Sequence, residues 1–126
     1  MELPVGSIIA SGPVIVENNK VLLNQHGEDN FWKFPGGRVE DFSVSLEDNA
    51  KREVKEEMGI DIEIIKPLKP MMIQKPAGEA VILIHFLAKR VGEIKPGQDI
   101  REWNWFDIGN LPDNLAPNIR PVLENI

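Results

Sequence analysis

The stretch that decides the fold is GGRVEDFSVSLEDNAKREVKEEMGI, residues 36–60. Its second half predicts a helix that begins near Ser45, because Ser45 and Asp48 form a capping-box pattern. Gly59 supplies the left-handed residue that ends the helix. Apolar residues recur at every fourth position and give one buried stripe: Leu46, Ala50, Val54 and Met58. We therefore expect a helix that packs one face on a core.

Three carboxylates lie close together on this helix. At about 100° per residue, Glu53, Glu56 and Glu57 fall within about a quarter-turn arc. Two charges about 6 Å apart repel by about 3 kcal/mol at an effective dielectric of 20. Basic residues are interleaved with these acids, so a solvated charged face is one interpretation. The other is a phosphate-handling site for a divalent metal, which the glycine pair upstream favours.

The composition limits the class of protein. A chain of 126 residues predicts one domain, residues 1–126, with a core that needs no covalent staples. The chain has no cysteine, which excludes disulfides, thiol nucleophiles and thiolate metal sites. Its two histidines disfavour a multi-histidine zinc centre. The longest apolar runs, such as Val81–Ile84, have the length of a strand and are too short for a membrane span.

Charge and the N-terminus indicate which partners and compartment to expect. The net charge is −6, and this disfavours long nucleic acid as a partner, since such binding rests on a basic field. Small polyphosphates remain open, because metal ions can bridge carboxylates to phosphate. The first ten residues, MELPVGSIIA, carry an acid where a signal peptide carries bases, which predicts a cytoplasmic protein.

The residues that flank the central stretch predict a mixed, mostly antiparallel sheet. A short C-terminal helix is expected over Asn118–Ile126, with Pro121 in its first turn. The first strand contains a glycine–proline interruption that predicts a bend or a bulge. The expected strands are Ser7–Glu17, Val21–His26, Phe31–Phe34, Asp61–Ile65, Met71–Gln74, Ala80–Val91 and Trp103–Phe106.

Aromatic residues and histidines supply further candidates. Trp32 and Phe34 alternate with Lys33 and so share one face of a strand, where they either pack in the core or line a pocket for a nucleobase. His26 ends a strand before a polar loop, which favours a surface histidine, with a substrate contact as the alternative. His85 lies within an apolar strand, which favours a packed histidine over a catalytic base.

The central stretch resembles the signature of the Nudix hydrolases. Gly37 matches the glycine that opens the family's box, and Trp32 to Gly37 is similar to its aromatic and Pro-Gly-Gly approach. Trp105 to Asp107 with Leu111-Pro112 resembles its last strand, and Glu40 matches a common acid. The closing half of the box is matched throughout by Arg52, Glu53, Val54, Glu56, Glu57, Gly59 and Ile60.

One part of the box departs from the family pattern. Ser43 stands where the family has its first glutamate, and the loop between Gly37 and Arg52 is one residue longer. The departure affects how the loop is anchored and removes one acid that could contact a metal ion. Either Glu40 or Glu47 could take the place of the missing glutamate.

The resemblance implies an α+β fold, a Nudix-like α/β/α sandwich, and a site for Mg²⁺ or Mn²⁺. It implies that Arg52 holds a glutamate in place and that Glu102 or Asp99 supplies a general base, with Glu102 preferred. The implied metal ligands are Glu53, which could instead act as a base, Glu56, Glu57 and the carbonyl of Gly37. The implied substrate contacts are Trp32, Phe34, Arg38 and Glu40.

The resemblance also implies a substrate class. The family cleaves nucleoside diphosphates linked to another moiety, and we favour ADP-ribose or a nucleotide sugar. Pro76 lies close to where ADP-ribose hydrolases of the family carry a proline, and the chain lacks the tyrosine associated with diadenosine polyphosphate hydrolases. The alternatives are a nucleoside triphosphate pyrophosphohydrolase and a sensor domain that does not catalyse. Homodimers are common in the family, and oligomeric state cannot be read from the sequence.

Overall fold

The computed structural model describes residues 6–126. The first five residues of the stretch considered as a leader therefore lie outside the described part. The elements are β1 Ile8–Glu17, β2 Lys20–His26, β3 Gly37–Arg38, α1 Leu46–Met58, β4 Asp61–Pro67, β5 Met71–Gln74, β6 Ala80–Val91, β7 Ile100–Asp107 and α2 Ile119–Leu123. Within residues 6–126 no helix is both long and apolar enough to cross a membrane.

The strands form one seven-stranded sheet with the main order β4-β6-β1-β2-β7. β1 and β6 run parallel, and the other named pairs, including β3 on β1 and β5 on β6, are antiparallel. The register of β1 with β6 is unbroken from Ile8 to Ile15. The glycine–proline pair in β1 therefore makes no bulge against β6, contrary to one of the two expected outcomes.

Each face of the sheet is covered by one helix, because neighbouring residues of a strand point to opposite sides. One core cluster joins α2 to one face and contains Val14, Val21, Leu23, Phe34, Leu68, Ile119, Val122 and Leu123. The other joins α1 to the opposite face and contains Ile15, Leu22, Val54, Met58, Ile60, Ile62, Ala88 and Ile100. This arrangement confirms the predicted α/β/α sandwich with a mixed, mostly antiparallel sheet.

Both ends of α1 are fixed by local contacts. Ser45 is the N-cap, and its side chain accepts a hydrogen bond from the backbone N–H of Asp48 at 3.1 Å. Gly59 ends the helix with a φ of 70°. The loop before β7 adds a second clamp, because the Gly97 N–H donates to the Glu57 carbonyl at 2.8 Å. The helix limits therefore agree with the prediction, and the last turn is held from outside.

Two elements differ from the sequence prediction. Residues 31–34 form no extended strand and make only isolated bridges, Lys33 with Asn24 and Trp32 with Leu115. Pro35 follows directly and has no N–H to donate, which helps to end the pairing. The C-terminal helix is shorter than expected and covers Ile119–Leu123, with Pro121 in its first turn.

Candidate active site

Glu57 is the innermost acid of α1, and 7% of its surface is exposed. Its Oε1 accepts a hydrogen bond from the backbone N–H of Gly36 at 2.7 Å. Its Oε2 lies 2.6 Å from Nε2 of His26. That distance is short enough for an ion pair, and neither atom has a hydrogen-bond partner in residues 6–126. Glu57 thus joins α1 to the loop of Gly36 and Gly37, the glycine loop, and to the end of β2.

Glu53 lies one turn earlier and faces Gly37. A Cβ atom added to Gly37 would lie 2.9 Å from Oε2 of Glu53, so only a glycine leaves room for this carboxylate. Burial is the main cause that raises the pKa of Glu53, and the charge of Glu57 raises it further. Smaller contributions come from Glu56 and Glu40, while Arg52 opposes them. The carboxylate therefore sits in a region of negative potential.

Arg52 stands between the outer acids. Its guanidinium contacts Oε1 of Glu53 and Oε1 of Glu56, each at 3.2 Å, and Oδ1 of Asn49 at 3.2 Å. Glu56 points outward, with 60% of its side chain exposed. Ion pairs in such exposed positions contribute about 0–1 kcal/mol to stability. Arg52 is therefore placed to orient two carboxylates without locking them.

The glycine loop is fixed because its backbone crosses β1 in direct contact. A Cβ on Gly36 would lie 2.4 Å from the Ser11 carbonyl oxygen, and Gly36 has a φ of 137°, where other residues are strained. A Cβ on Gly12 would lie 2.0 Å from the carbonyl oxygen of Pro35. This crossing explains why the interruption of β1 contains a glycine at position 12.

The loop that contains Ser43 is anchored by its own side chains and by Asn49 of α1. Oδ1 of Asp41 accepts hydrogen bonds from the Ser43 N–H at 2.9 Å and from the Ser43 hydroxyl at 2.5 Å, and these bonds lower the pKa of Asp41. The Asn49 amide on α1 donates to the Asp41 and Ser45 carbonyls, both at 3.3 Å. Ser43 therefore has a structural role in place of the family's glutamate.

A cavity of about 320 Å³ lies beside the glycine loop. Gly36 and Gly37 line it and also contact Glu57 and Glu53 of α1, which we call the acid helix. Its apolar lining consists of Ile8, Ala10, Phe34, Pro35, Ile73, Val81, Leu83 and Ala116. Its polar lining consists of Ser11, His85 and Asn118, and three cationic side chains complete it, those of Lys33, Arg38 and Lys75. The Ser11 hydroxyl is buried and has no hydrogen-bond partner in the part of the chain that the structure describes.

His85 belongs to the cavity wall and is 6% exposed, which confirms the prediction of a packed histidine. Its Nδ1 lies 3.2 Å from the Gly12 carbonyl oxygen, and its Nε2 lies 3.1 Å from the Asn118 amide nitrogen. A carbonyl only accepts, so Nδ1 carries the proton and Nε2 accepts from Asn118. Burial lowers the pKa of His85, in agreement with a neutral ring. Phe34 packs edge-on against it, with centroids 4.9 Å apart.

The other candidates lie outside this cavity. Trp32 packs edge-on against Phe106, with centroids 4.7 Å apart, and borders a shallow groove that also contains Glu102. Glu102 is paired with Gln25 across β2 and β7, and the Asp99 carbonyl accepts the Gly27 N–H at 2.9 Å. Both candidate bases are exposed and adjoin the end of β2.

The donor chemistry of the site suits a hard divalent ion. In residues 6–126 no three histidine, aspartate or glutamate side chains converge on one point. Mg²⁺ needs fewer protein ligands, since it keeps several waters and uses one or two carboxylates with substrate phosphates. Glu57 Oε2 is buried without a hydrogen-bond partner, and Glu53 faces the same glycine loop. These two carboxylates fit such an ion.

The fold and this site define the class of protein. The NUDIX domain model matches residues 9–126, and the chain belongs to that family. It is 33% identical to an ADP-ribose pyrophosphatase of Methanocaldococcus jannaschii, over 82% of this chain and 64% of that protein. It is 34% identical to the NAD-capped RNA hydrolase NudC of Vibrio atlanticus, over 89% of this chain and 43% of that protein. The chain thus spans less than two thirds of both relatives.

A solved structure agrees over nearly the whole length. The MutT NUDIX hydrolase from Burkholderia pseudomallei superimposes with a TM-score of 0.86 at 27% identity, covering 95% of this chain and 98% of that one. Sequence reasoning did not single out Asn118, because an asparagine before a short helix resembles an ordinary turn residue. It also favoured a surface role for His26. Only the tertiary structure shows that His26 meets Glu57.

Proposed function

We propose that the protein is a metal-dependent pyrophosphohydrolase that cleaves a nucleoside diphosphate linked to a second moiety, with ADP-ribose or a nucleotide sugar as the favoured substrate. One observation carries the proposal: the acid helix and a base-sized cavity share one wall, Gly36–Gly37. A nucleobase in the cavity would place its diphosphate over the glycine loop, beside Glu53 and Glu57.

The cavity has the chemistry that a nucleoside requires. Its apolar lining and the ring of Phe34 suit a base, and pockets of about this volume bury small ligands with few polar contacts. Ser11 and Asn118 supply polar groups for the base edge. Lys33, Arg38 and Lys75 supply positive charge for the phosphates, although the chain as a whole is acidic.

The acid helix supplies the residues that would act on the diphosphate. A bound Mg²⁺ or Mn²⁺ would neutralise charge on the diphosphate and lower the pKa of a coordinated water. Glu57 is held in place by the Gly36 N–H, and Arg52 orients Glu53 and Glu56. Glu53, with its raised pKa, is suited to hold a proton or to bind a cation. Glu102 or Asp99 would take the proton from the attacking water.

Glu40 is the better candidate to take the place of the missing box glutamate. Its charge reaches the site, since Glu40 contributes to the raised pKa of Glu53. Glu47 lies exposed in the first turn of α1 and is not among the charges that shift the pKa of Glu53. We therefore assign the outer acid of the loop to Glu40.

The test is a substrate panel of ADP-ribose, a nucleotide sugar and a nucleoside triphosphate, with Mg²⁺ or Mn²⁺ and chromatographic analysis of products. We expect ADP-ribose or the nucleotide sugar to yield a nucleoside monophosphate. Glu57→Gln keeps an oxygen for the Gly36 N–H but loses the charge, and we expect kcat/KM to fall by about a hundredfold or more. Glu47→Gln, on the same helix, should stay within about twofold.

The outcomes separate the alternatives. Equal turnover by Glu57→Gln would remove the acid helix from the reaction. Cleavage of the triphosphate alone would move the assignment to a nucleoside triphosphate pyrophosphohydrolase. Binding of a nucleotide with no turnover of any panel member would identify a sensor domain. A larger loss in Glu40→Gln than in Glu47→Gln is expected from the assignment of Glu40.

A further inference from the structure

The carboxylate of Glu57 has a different contact at each oxygen. Oε1 accepts a hydrogen bond from the Gly36 N–H at 2.7 Å, and Oε2 lies 2.6 Å from Nε2 of His26. In residues 6–126 neither Oε2 nor Nε2 has any other hydrogen-bond partner, and both atoms are buried. Two lone pairs would repel each other at this distance, so a proton lies between the two atoms. His26 and Glu57 therefore attract each other.

Together the two contacts fix the plane of this carboxylate. The last torsion of a glutamate side chain is broad, so a carboxylate held at one oxygen can still rotate. Rotation of Glu57 would break the contact with Gly36, with His26 or with both. Glu57 is 7% exposed, so water does not readily replace a lost partner. Each carboxylate oxygen has two lone pairs, so both contacts leave the carboxylate able to bind a cation.

His26 is held by the same backbone segment that holds the acid helix. This segment runs from Gly97 to Asp99, before β7. Gly97 donates its N–H to the Glu57 carbonyl at 2.8 Å, and the Asp99 carbonyl accepts the N–H of Gly27, the residue after His26, at 2.9 Å. The pairing of β2 with β7 also shifts register directly before His26, and such a bulge redirects a side chain. The backbone therefore ties both partners of the pair to one segment.

We propose that His26 is a positioning residue for the reaction: it holds the Glu57 carboxylate in the orientation in which that carboxylate acts on the diphosphate. His26 acts through Glu57, which distinguishes this role from a direct contact with the substrate. The inference rests on the role proposed above for Glu57 and adds a residue that lies outside the box. Groups that orient a reactive carboxylate typically contribute about tenfold or more when they are removed.

The first test is steady-state kinetics at saturating Mg²⁺ or Mn²⁺, on the panel substrate that the parent cleaves. In His26→Ala we expect kcat to fall by about tenfold or more while KM stays within about twofold. His26→Gln can still direct an N–H toward Oε2, and we expect its kcat to return to within about threefold of the parent. The control is Glu28→Gln, an exposed acid of the same turn, which should change neither constant beyond about twofold.

A double-mutant cycle shows whether His26 acts through Glu57. In the Glu57→Gln background the charge that His26 holds is absent, so His26→Ala should lower kcat by less than about twofold more. The same tenfold loss in both backgrounds would overturn the proposal. A raised KM with an unchanged kcat in His26→Ala would overturn it as well, because that result indicates a substrate contact.

NMR of the histidine side chains adds a readout that does not depend on turnover. The chain has two histidines, and the ring of His85 contacts Gly12 and Asn118, so it serves as an internal reference. We expect Glu57→Gln to shift the Nε2 resonance of His26 and to leave that of His85 unchanged.

Glu47→Gln, on the exposed first turn of α1, should shift neither resonance. A His26 resonance that does not respond to Glu57→Gln would overturn the proposal. Full activity of His26→Ala beside an active parent would overturn this proposal alone. A parent that cleaves no panel member would overturn the proposed function together with it.

Discussion

At the scale of single residues, the site depends on where side chains are missing. The backbone of Gly36 packs directly against β1, and its N–H donates a hydrogen bond to Glu57. Gly37 has no side chain and leaves the space that the Glu53 carboxylate fills. The two glycines differ in what a side chain would meet. At Gly36 it meets the backbone of Ser11, whereas at Gly37 the three nearest atoms all belong to the end of the flexible Glu53 side chain.

Gly37→Ala should therefore damage function more than stability. The added methyl group would lie 2.9 Å from Glu53 Oε2 and displace that carboxylate, which can rotate away from it. We expect kcat/KM to fall by about tenfold or more, while the free energy of unfolding in urea changes by less than about 1 kcal/mol.

Gly92→Ala is the matched control, since Gly92 has a φ of 102° and open space around it. It should cost about 1–2 kcal/mol of stability through backbone strain and leave kcat/KM unchanged. If Gly37→Ala kept the full kcat/KM, the position of the Glu53 carboxylate would not matter to the reaction.

At the scale of elements, α1 could be predicted from the sequence and its loop could not. The Ser45 cap, the apolar stripe and Gly59 act within a few residues, so their signals are local. The loop from Asp41 to Ser45 departs from the family pattern, and its anchor comes from Asn49, on the other side of the cap. Within a helix an asparagine carries no pattern that indicates such a contact.

Asn49→Ala should loosen this loop. Asn49 is 1% exposed, and its removal leaves the Asp41 and Ser45 carbonyls without its two hydrogen bonds. We expect a loss of about 1–3 kcal/mol in the free energy of unfolding. Amide exchange should quicken at residues 43–45, measured by NMR. Lys51→Ala, exposed on the same helix, should change stability by less than about 0.5 kcal/mol. Unchanged exchange in Asn49→Ala would show that the Asp41–Ser43 bonds hold the loop alone.

At the scale of the whole molecule, the cavity results from how β1 shares its edges. One edge pairs with β6 from Ile8 to Ile15, and the other pairs with β3 at Ala10–Ser11 and with β2 at Val16–Glu17. These pairings join distant parts of the chain, and no local pattern predicts them. The same holds for the contacts of His85, which connects β6 to the backbone of β1 and to the start of α2.

His85 makes the stability of this arrangement depend on pH. Burial lowers its pKa below the ordinary value of 6.5. Above pH 6.5 the ring is neutral in both the folded and the unfolded chain, and the full stability is present. As the pH falls below that value, His85 becomes protonated in the unfolded chain but stays neutral in the folded chain. The free energy of unfolding should then decrease, by at most about 1.4 kcal/mol per pH unit from this group.

The measurement is urea denaturation of the parent and His85→Gln from about pH 8 to pH 5. All other residues are the same in the two proteins, so the difference between the two free energies isolates His85. Glutamine can still donate to the Gly12 carbonyl, and the stability advantage of the parent should shrink as the pH falls below 6.5. A constant difference would mean that the folded protein protonates His85. Asn118 would then have to turn its amide oxygen toward Nε2, because both nitrogens of a protonated imidazole donate and neither can accept a hydrogen bond.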